Sequence, residues 1–418
     1  RIRAERIRAE RDHESPHDRN RTVSAMAVLD TQTSTFTDKG RFGMFALGTG
    51  MIFTAITLAG LFIDGHMFYA SWLTSFSFWT TIVLGALFFV MLQHVTAAVW
   101  SVTARRAAEA VALTLPVLLL CFVPLIFGMH DLYHWTHEEA VASDRLLAWK
   151  APYLNSTFFV IRAVVFFAVW IVLAWVLHRR SVRQDLDGDV AHTYALRKIS
   201  AGGIFLFAFT ATFAAFDWLM SLNPHWYSTI FGVYVFVGGF LAAMALLTLV
   251  FLMLRGQGLL EREVSIEHFH DLGRFLFAFT VFWAYIGGSQ YYLIWYANIP
   301  EETLWFLARW EHGWKKVSLA LIFLHFFTPF IVLAFYRVKR ALGVLRVITL
   351  LILVMHYVDM FWLVMPTFGP GVHFSWMHLT SLLGIGGLVL WLFWSRYTAH
   401  RAIPVGDPKL ADSIAHRV

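Results

Sequence analysis

Tyr227–Leu254 reads YSTIFGVYVFVGGFLAAMALLTLVFLML and contains no Asp, Glu, Lys, Arg or His. Each residue of an α-helix advances the chain about 1.5 Å, so a run of this length crosses the ~30 Å hydrocarbon core of a bilayer. Lipid cannot hydrogen-bond an exposed backbone, and an open chain that crosses it does so as helix. Nine further apolar runs share the pattern. They cover 42–63, 75–97, 109–129, 153–178 and 199–221 before it, and 274–296, 316–336, 344–365 and 376–396 after it. The expected fold is all-α: a polytopic membrane protein of about ten transmembrane helices. Pro116, Pro124 and Pro329 fall inside these runs, where neighbouring helices make proline tolerable.

Composition points the same way. Only 14% of the residues are charged and 58% are hydrophobic, whereas a soluble domain needs about 25% charged residues to wet its surface. The 18 Trp, 13 Tyr and 40 Phe suit aromatic belts at two membrane interfaces. The net charge of +6 lies mainly in the ends and in alternate loops, which speaks for orientation in a membrane and against nucleic acid as a partner. The expected partition is a basic polar tail (1–40), a ten-helix membrane domain (41–397) and a C-terminal tail (398–418). The first tail opens on RIRAE twice and lacks the apolar core of a signal peptide.

Loop charges set the expected sidedness. The even loops carry Arg105, Arg106, Arg179, Arg180, Arg183, Arg197, Lys198, Arg255, Arg262, Arg274, Arg337, Lys339, Arg340 and Arg346; the odd loops carry only Arg145, Lys150, Arg309, Lys315 and Lys316. By the positive-inside rule both termini face the cytoplasm. The 129–152 and 297–315 loops then lie outside, and their tryptophans and histidines suit a contact surface.

One cysteine, Cys121, sits in an apolar run. A single thiol excludes an internal disulfide, a CxxCH haem attachment and an iron–sulfur cluster held by this chain alone. Nucleotide loops and nucleophile elbows are also missing from the sequence. FLFAFT occurs at Phe205–Thr210 and again at Phe275–Thr280, an echo between two outward-running helices. Gly384, Gly386 and Gly387 read as close helix packing.

Ionisable groups inside a bilayer are costly and need a reason. Arg162, Asp217, Gln290, Tyr291, His325, His356 and Asp359 all fall inside apolar runs, with His225 just beyond one and His378 opening another. All lie at mid-membrane or in the outer half. The inner halves read as nearly free of titratable groups, His94 and the helix-end arginines apart. His356 and Asp359, three residues apart, share a helix face. Two readings fit. Arg162 with Asp217 makes a register-fixing ion pair, with the histidines as core residues; or the set lines a proton path or quinone pocket open to the outside, where imidazole and carboxylate exchange protons. His130, His134 and His137 have a spacing that suits a metal, but loop histidines beside acids are more often solvated, so no metal site is expected. A bis-histidine haem from His325 and His356 is disfavoured, because no helix carries two suitably spaced histidines.

Three stretches carry a family resemblance: KAPYLNSTFFVIRAVVFFAVW (Lys150–Trp170), FDWLMSLNPHWYSTIFGVYVFVGG (Phe216–Gly239) and SQYYLIWYANIPEETLWF (Ser289–Phe306). Together they resemble the ActF family, membrane subunits of bacterial alternative complex III within the NrfD/PsrC superfamily of quinol-reactive proteins. The likeness spans residues 41–400 and leaves out the basic tail. It implies two four-helix bundles with flanking helices, in the bacterial cytoplasmic membrane, as part of a quinol:electron-acceptor oxidoreductase. The implied partners are a sister NrfD-like subunit (ActC), an iron–sulfur subunit, cytochrome c subunits carrying haem c, and small membrane anchors. The chain itself would hold no redox centre, and menaquinone or another quinone would be its lipid-soluble ligand. Two other readings compete: a stand-alone proton-coupled transporter, which inverted repeats and broken helices would mark, and a structural anchor.

Overall fold

The computed structural model describes Phe36 and residues 40–416, so the 1–40 tail lies outside the described residues apart from Phe36 and Gly40. Among the described residues there is no strand, and ten helices are long and apolar enough to cross a membrane. In chain order they are α1 (Phe42–Gly60), α2 (Gly65–Thr96), α3 (Val102–Phe127), α4 (Ser156–Asp187), α5 (Ala191–Leu222), α6 (Phe231–Gly256), α7 (Ile266–Ala297), α8 (Trp314–Ala334), α9 (Leu342–Phe368) and α10 (Trp376–Tyr397). The chain is thus an all-α polytopic membrane protein.

Two helices form the centre. In α2 and α6, 83% of the most apolar window is buried inside the protein, against 17% in α1. Their contact is made by small residues. A Cβ on Gly85 would stand 2.7 Å from Gly239 O, and one on Gly239 would stand 2.6 Å from Thr81 Cβ. Around this axis α2 gathers α3, α4 and α5, while α6 packs on α7 and α9, and α8 closes that group against α7 and α9. The result is two four-helix groups joined along α2 and α6. The two FLFAFT copies lie on α5 and α7, both of which pack on α6. The flanking α1 packs on α10, and α10 in turn on α2. Gly387 makes that approach possible, since a Cβ there would lie 2.4 Å from Gly50 N.

Several helices reach further than the apolar runs. α3 starts at Val102, α4 continues to Asp187 and α7 starts at Ile266, in place of 109, 178 and 274. The added turns are polar but pack on neighbours. Titratable groups therefore cluster at this end, where the sequence reading expected almost none. Glu109 lies against Arg106 (3.3 Å) and His178 (3.1 Å), and Arg106 also bonds Asp185 at 2.8 Å.

Residues 398–416 fold across this same end rather than trailing away. Asp407 pairs with Arg105, and Gly406 N donates to Asp185 Oδ1 at 3.0 Å. Lys409 Nζ reaches Ala97 O at 2.8 Å, Ser413 reaches Trp100 O at 3.0 Å, and His416 reaches Asp271 at 2.7 Å. At the opposite end the loops use most of their tryptophans internally. Trp135, Trp305 and Trp314 are buried and Trp305 stacks on Trp226 at 4.2 Å, whereas Trp149 and Trp310 are exposed.

Candidate functional site

The residues singled out in the sequence fall into separate groups. The first is closed. Arg162 from α4 grips Asp217 from α5 with two bonds, Nε to Oδ2 at 2.7 Å and Nη2 to Oδ1 at 3.0 Å. Its Nη1 donates to Tyr153 O at 2.8 Å, and the Tyr153 hydroxyl donates to Asp217 Oδ1 at 2.9 Å. The rings of Tyr153 and Phe158 cover the guanidinium at 3.9 and 4.3 Å. Tyr153 lies before α4, and burial pushes its phenol well above the usual range, with the Asp217 charge adding to the effect. Both carboxylate oxygens are engaged. The geometry is that of a fork-to-fork ion pair that fixes the register of α4 on α5.

His225 stands outside the membrane span, bonded to Asp144 at 2.5 Å on an exposed loop. The hydrogen bond from His225 lowers the Asp144 carboxyl below its usual range, and the backbone amides of Leu146 and Leu147 contribute. It tethers two outer loops and joins neither buried group.

The α6–α9 half is different. Asp359, fully buried on α9, accepts from the Tyr234 hydroxyl at 2.5 Å through Oδ1 and from Trp283 Nε1 at 3.2 Å through Oδ2. An indole N–H can only donate, so Oδ2 presents a lone pair to it. The expected His356–Asp359 contact is absent from this arrangement, because each residue takes its partner from another helix. His356 Nε2 meets Thr81 Oγ1 at 2.9 Å, and Thr81 Oγ1 is itself within 2.9 Å of Ser77 O. With the hydroxyl hydrogen given to that carbonyl, the ring donates from Nε2, and its Nδ1 has no partner. His325 is also fully buried with neither ring nitrogen bonded, and its ring lies edge-on to Trp283 at 4.4 Å. It sits in a π-helical turn, Leu321–Phe327. Pro329 supplies the cause: it has no N–H to return to the preceding turn, and Thr328 Oγ1 caps Phe323 O at 2.8 Å.

Next to this group lies a cavity of about 560 Å³, between α7, α8 and the outer helix Pro300–Ala308. Its wall includes Tyr234, Trp283, Gln290, Tyr291, Arg309 and Trp362. It is mostly apolar and aromatic, with a few polar groups converging, which is the usual make-up of a small-molecule site. Gln290 is oriented by Ser228, whose hydroxyl donates to its Oε1 at 3.1 Å. The sequence had singled out Gln290, Tyr291 and Asp359. It gave no sign of Tyr234, Trp283 or Arg309, which look like ordinary aromatic and loop residues.

A second cavity of about 330 Å³, at the outer end, is lined by His66, His130, His134 and His137. His137 Nε2 is bonded to His130 O at 2.9 Å, and the two rings meet at 3.8 Å, tilted by 42°. Among the described residues no group of three or more His, Cys, Asp or Glu is arranged to hold a metal ion. No family model matches the chain, and no curated protein matches it either.

Proposed function

We propose that the chain is a membrane subunit of a quinol:electron-acceptor oxidoreductase of the alternative complex III type, taking the quinol head into the cavity between α7, α8 and the Pro300–Ala308 helix. One observation carries this reading. Tyr234 and Trp283 line the cavity and are also the two groups that hold Asp359. A hydroxyl bound in the cavity can pass its proton to Tyr234 as the phenol passes its own to Asp359, without opening the helices. Quinol oxidation releases two electrons with two protons. The electrons leave to haem or iron–sulfur groups on partner chains, in keeping with the family resemblance. The resemblance likewise supplies the expected partners: a sister NrfD-like subunit, an iron–sulfur subunit, cytochrome c subunits and small anchors. The α2–α5 half favours a structural role, since its Arg162–Asp217 pair is fully engaged.

The test is direct. A Cβ on Gly288, which lines the cavity, meets nothing within 4 Å, so Gly288→Trp fills the space without displacing backbone. A fluorescent heptyl hydroxyquinoline N-oxide, a quinol mimic, should bind the wild-type chain saturably and bind the variant about tenfold more weakly or worse. Equal binding to both, or none to either, overturns the reading.

Orientation belongs to the same proposal: a bacterial cytoplasmic membrane, with both termini inside. Asp187 ends α4 with a half-exposed side chain, and Leu304 is exposed on the outer helix. Cysteines placed at these two positions should react with an impermeant maleimide from opposite sides. Labelling from one side alone would remove the ten-span topology.

A further inference from the structure

Arg309 is a buried cation, 3% exposed, and among the described residues it forms no salt bridge. Its position follows from the chain. Pro300 opens the outer helix at a position where a missing N–H costs nothing, the helix ends at Ala308, and Arg309 turns back under it. Nη1 donates to Trp305 O at 2.9 Å, on the last turn of that helix. Nε donates to Trp362 O at 3.2 Å and Nη2 to Leu363 O at 2.9 Å, on the last helical turn of α9. Two helix C-termini, each the negative end of a dipole, thus hold the charge. The Trp305 ring lies flat beneath it at 3.4 Å. Burial pushes its pKa well below the usual arginine range, with Tyr234 as the neighbour acting the other way. From α6 it faces Tyr234, from α9 two backbone carbonyls and the Trp362 indole at 5.1 Å, and from the Pro300–Ala308 helix the Trp305 indole.

A guanidinium has five N–H bonds, and three are used here. One remains on each Nη, and Arg309 lines the cavity. We propose that Arg309 binds an oxyanion in this cavity: the ionised head-group oxygen of a quinol, which makes the site prefer the anionic form of its ligand. This inference rests on the quinol reading for the ligand's identity. The same oxyanion chemistry is offered by the phosphodiester of an acidic lipid, and the experiment separates the two.

The full chain is purified in detergent and titrated with two probes, the heptyl hydroxyquinoline N-oxide and its O-methyl ether, which cannot ionise. Wild type should favour the ionisable probe by about 10- to 100-fold, the worth of a charge-assisted hydrogen bond. Arg309→Lys keeps the charge and should keep most of that preference, whereas Arg309→Gln should lose it. A merely structural arginine would weaken both probes alike. If wild type binds both probes equally, the role of Arg309 is overturned and the quinol site stands. If wild type binds neither, the quinol reading itself falls. Competition by phosphatidylglycerol but not phosphatidylcholine, present in wild type and absent in Arg309→Gln, would keep the oxyanion site and overturn the quinol as its occupant.

Discussion

Arg162→Met is expected to destabilise the protein by about 3–5 kcal/mol, because it leaves the Asp217 carboxylate buried without its cation. Asp217 accepts from both Arg162 nitrogens and from Tyr153, and its side chain is fully buried. Asp217→Leu should cost a similar amount, for the mirror-image reason. The double variant removes both charges, and apolar groups then face each other across α4 and α5. It should recover much of the loss, giving a strong coupling in a double-mutant cycle. Denaturant unfolding in detergent micelles, followed by tryptophan emission, measures all three. A double variant no more stable than either single one would place the cost in lost volume and not in the unpaired charge. Arg162→Lys is a finer probe. Lysine keeps the charge but cannot make the two-pronged bond or lie flat on Tyr153 and Phe158, so it should fall between wild type and Met.

On the proposed quinol function, Asp359→Asn should lower quinol oxidation by the assembled complex by about 10²-fold or more, the usual contribution of a positioned acid or base, with assembly intact. The amide keeps the volume and can still accept from Tyr234. Its NH₂ then faces Trp283 Nε1–H, donor against donor, at a spacing that is 3.2 Å in the wild type. It also cannot take up a proton. Tyr234→Phe should reproduce the loss, because the phenol is the link between the cavity and Asp359. His356→Gln is the control for the alternative route. Glutamine can still donate to Thr81, so turnover should change far less than in Asp359→Asn. Haem content and subunit composition of the purified complex report assembly. Unaltered turnover in Asp359→Asn would leave Asp359 as an internal tie between α6, α7 and α9.

The sequence could show what depends on one segment at a time. Ten apolar runs are enough to place ten helices, since hydrophobicity over about twenty residues needs no partner to be read. Arg162 and Asp217 could be matched for a related reason: two opposite charges in hydrocarbon have few other places to go. The end turns of α3, α4 and α7 escaped because their polar residues, Arg106, Asp185 and Asp271 among them, look like loop. Only packing against neighbouring helices keeps those turns ordered. His356 and Asp359 misled for the opposite reason. Residues three apart share a face, but α9 is surrounded, and α2, α6 and α7 each offer a closer partner. Arg309 was the hardest to see. A lone arginine in an outer loop reads as solvated, and nothing in its neighbours announces that two helix ends converge on it.

The segment folded across the inner end carries a consequence for the order in which the molecule is made. Arg105 and Asp407 are 302 positions apart. Arg105 is therefore delivered in the first turn of α3 and must wait while the rest of that helix and seven more are synthesised and inserted before its acid exists. Throughout that interval the guanidinium keeps its hydration if these ends of α2 and α3 stay splayed at the membrane surface. They are then the last part of the membrane domain to close, and a chain cut between positions 397 and 407 carries all ten helices with its basic seam still open.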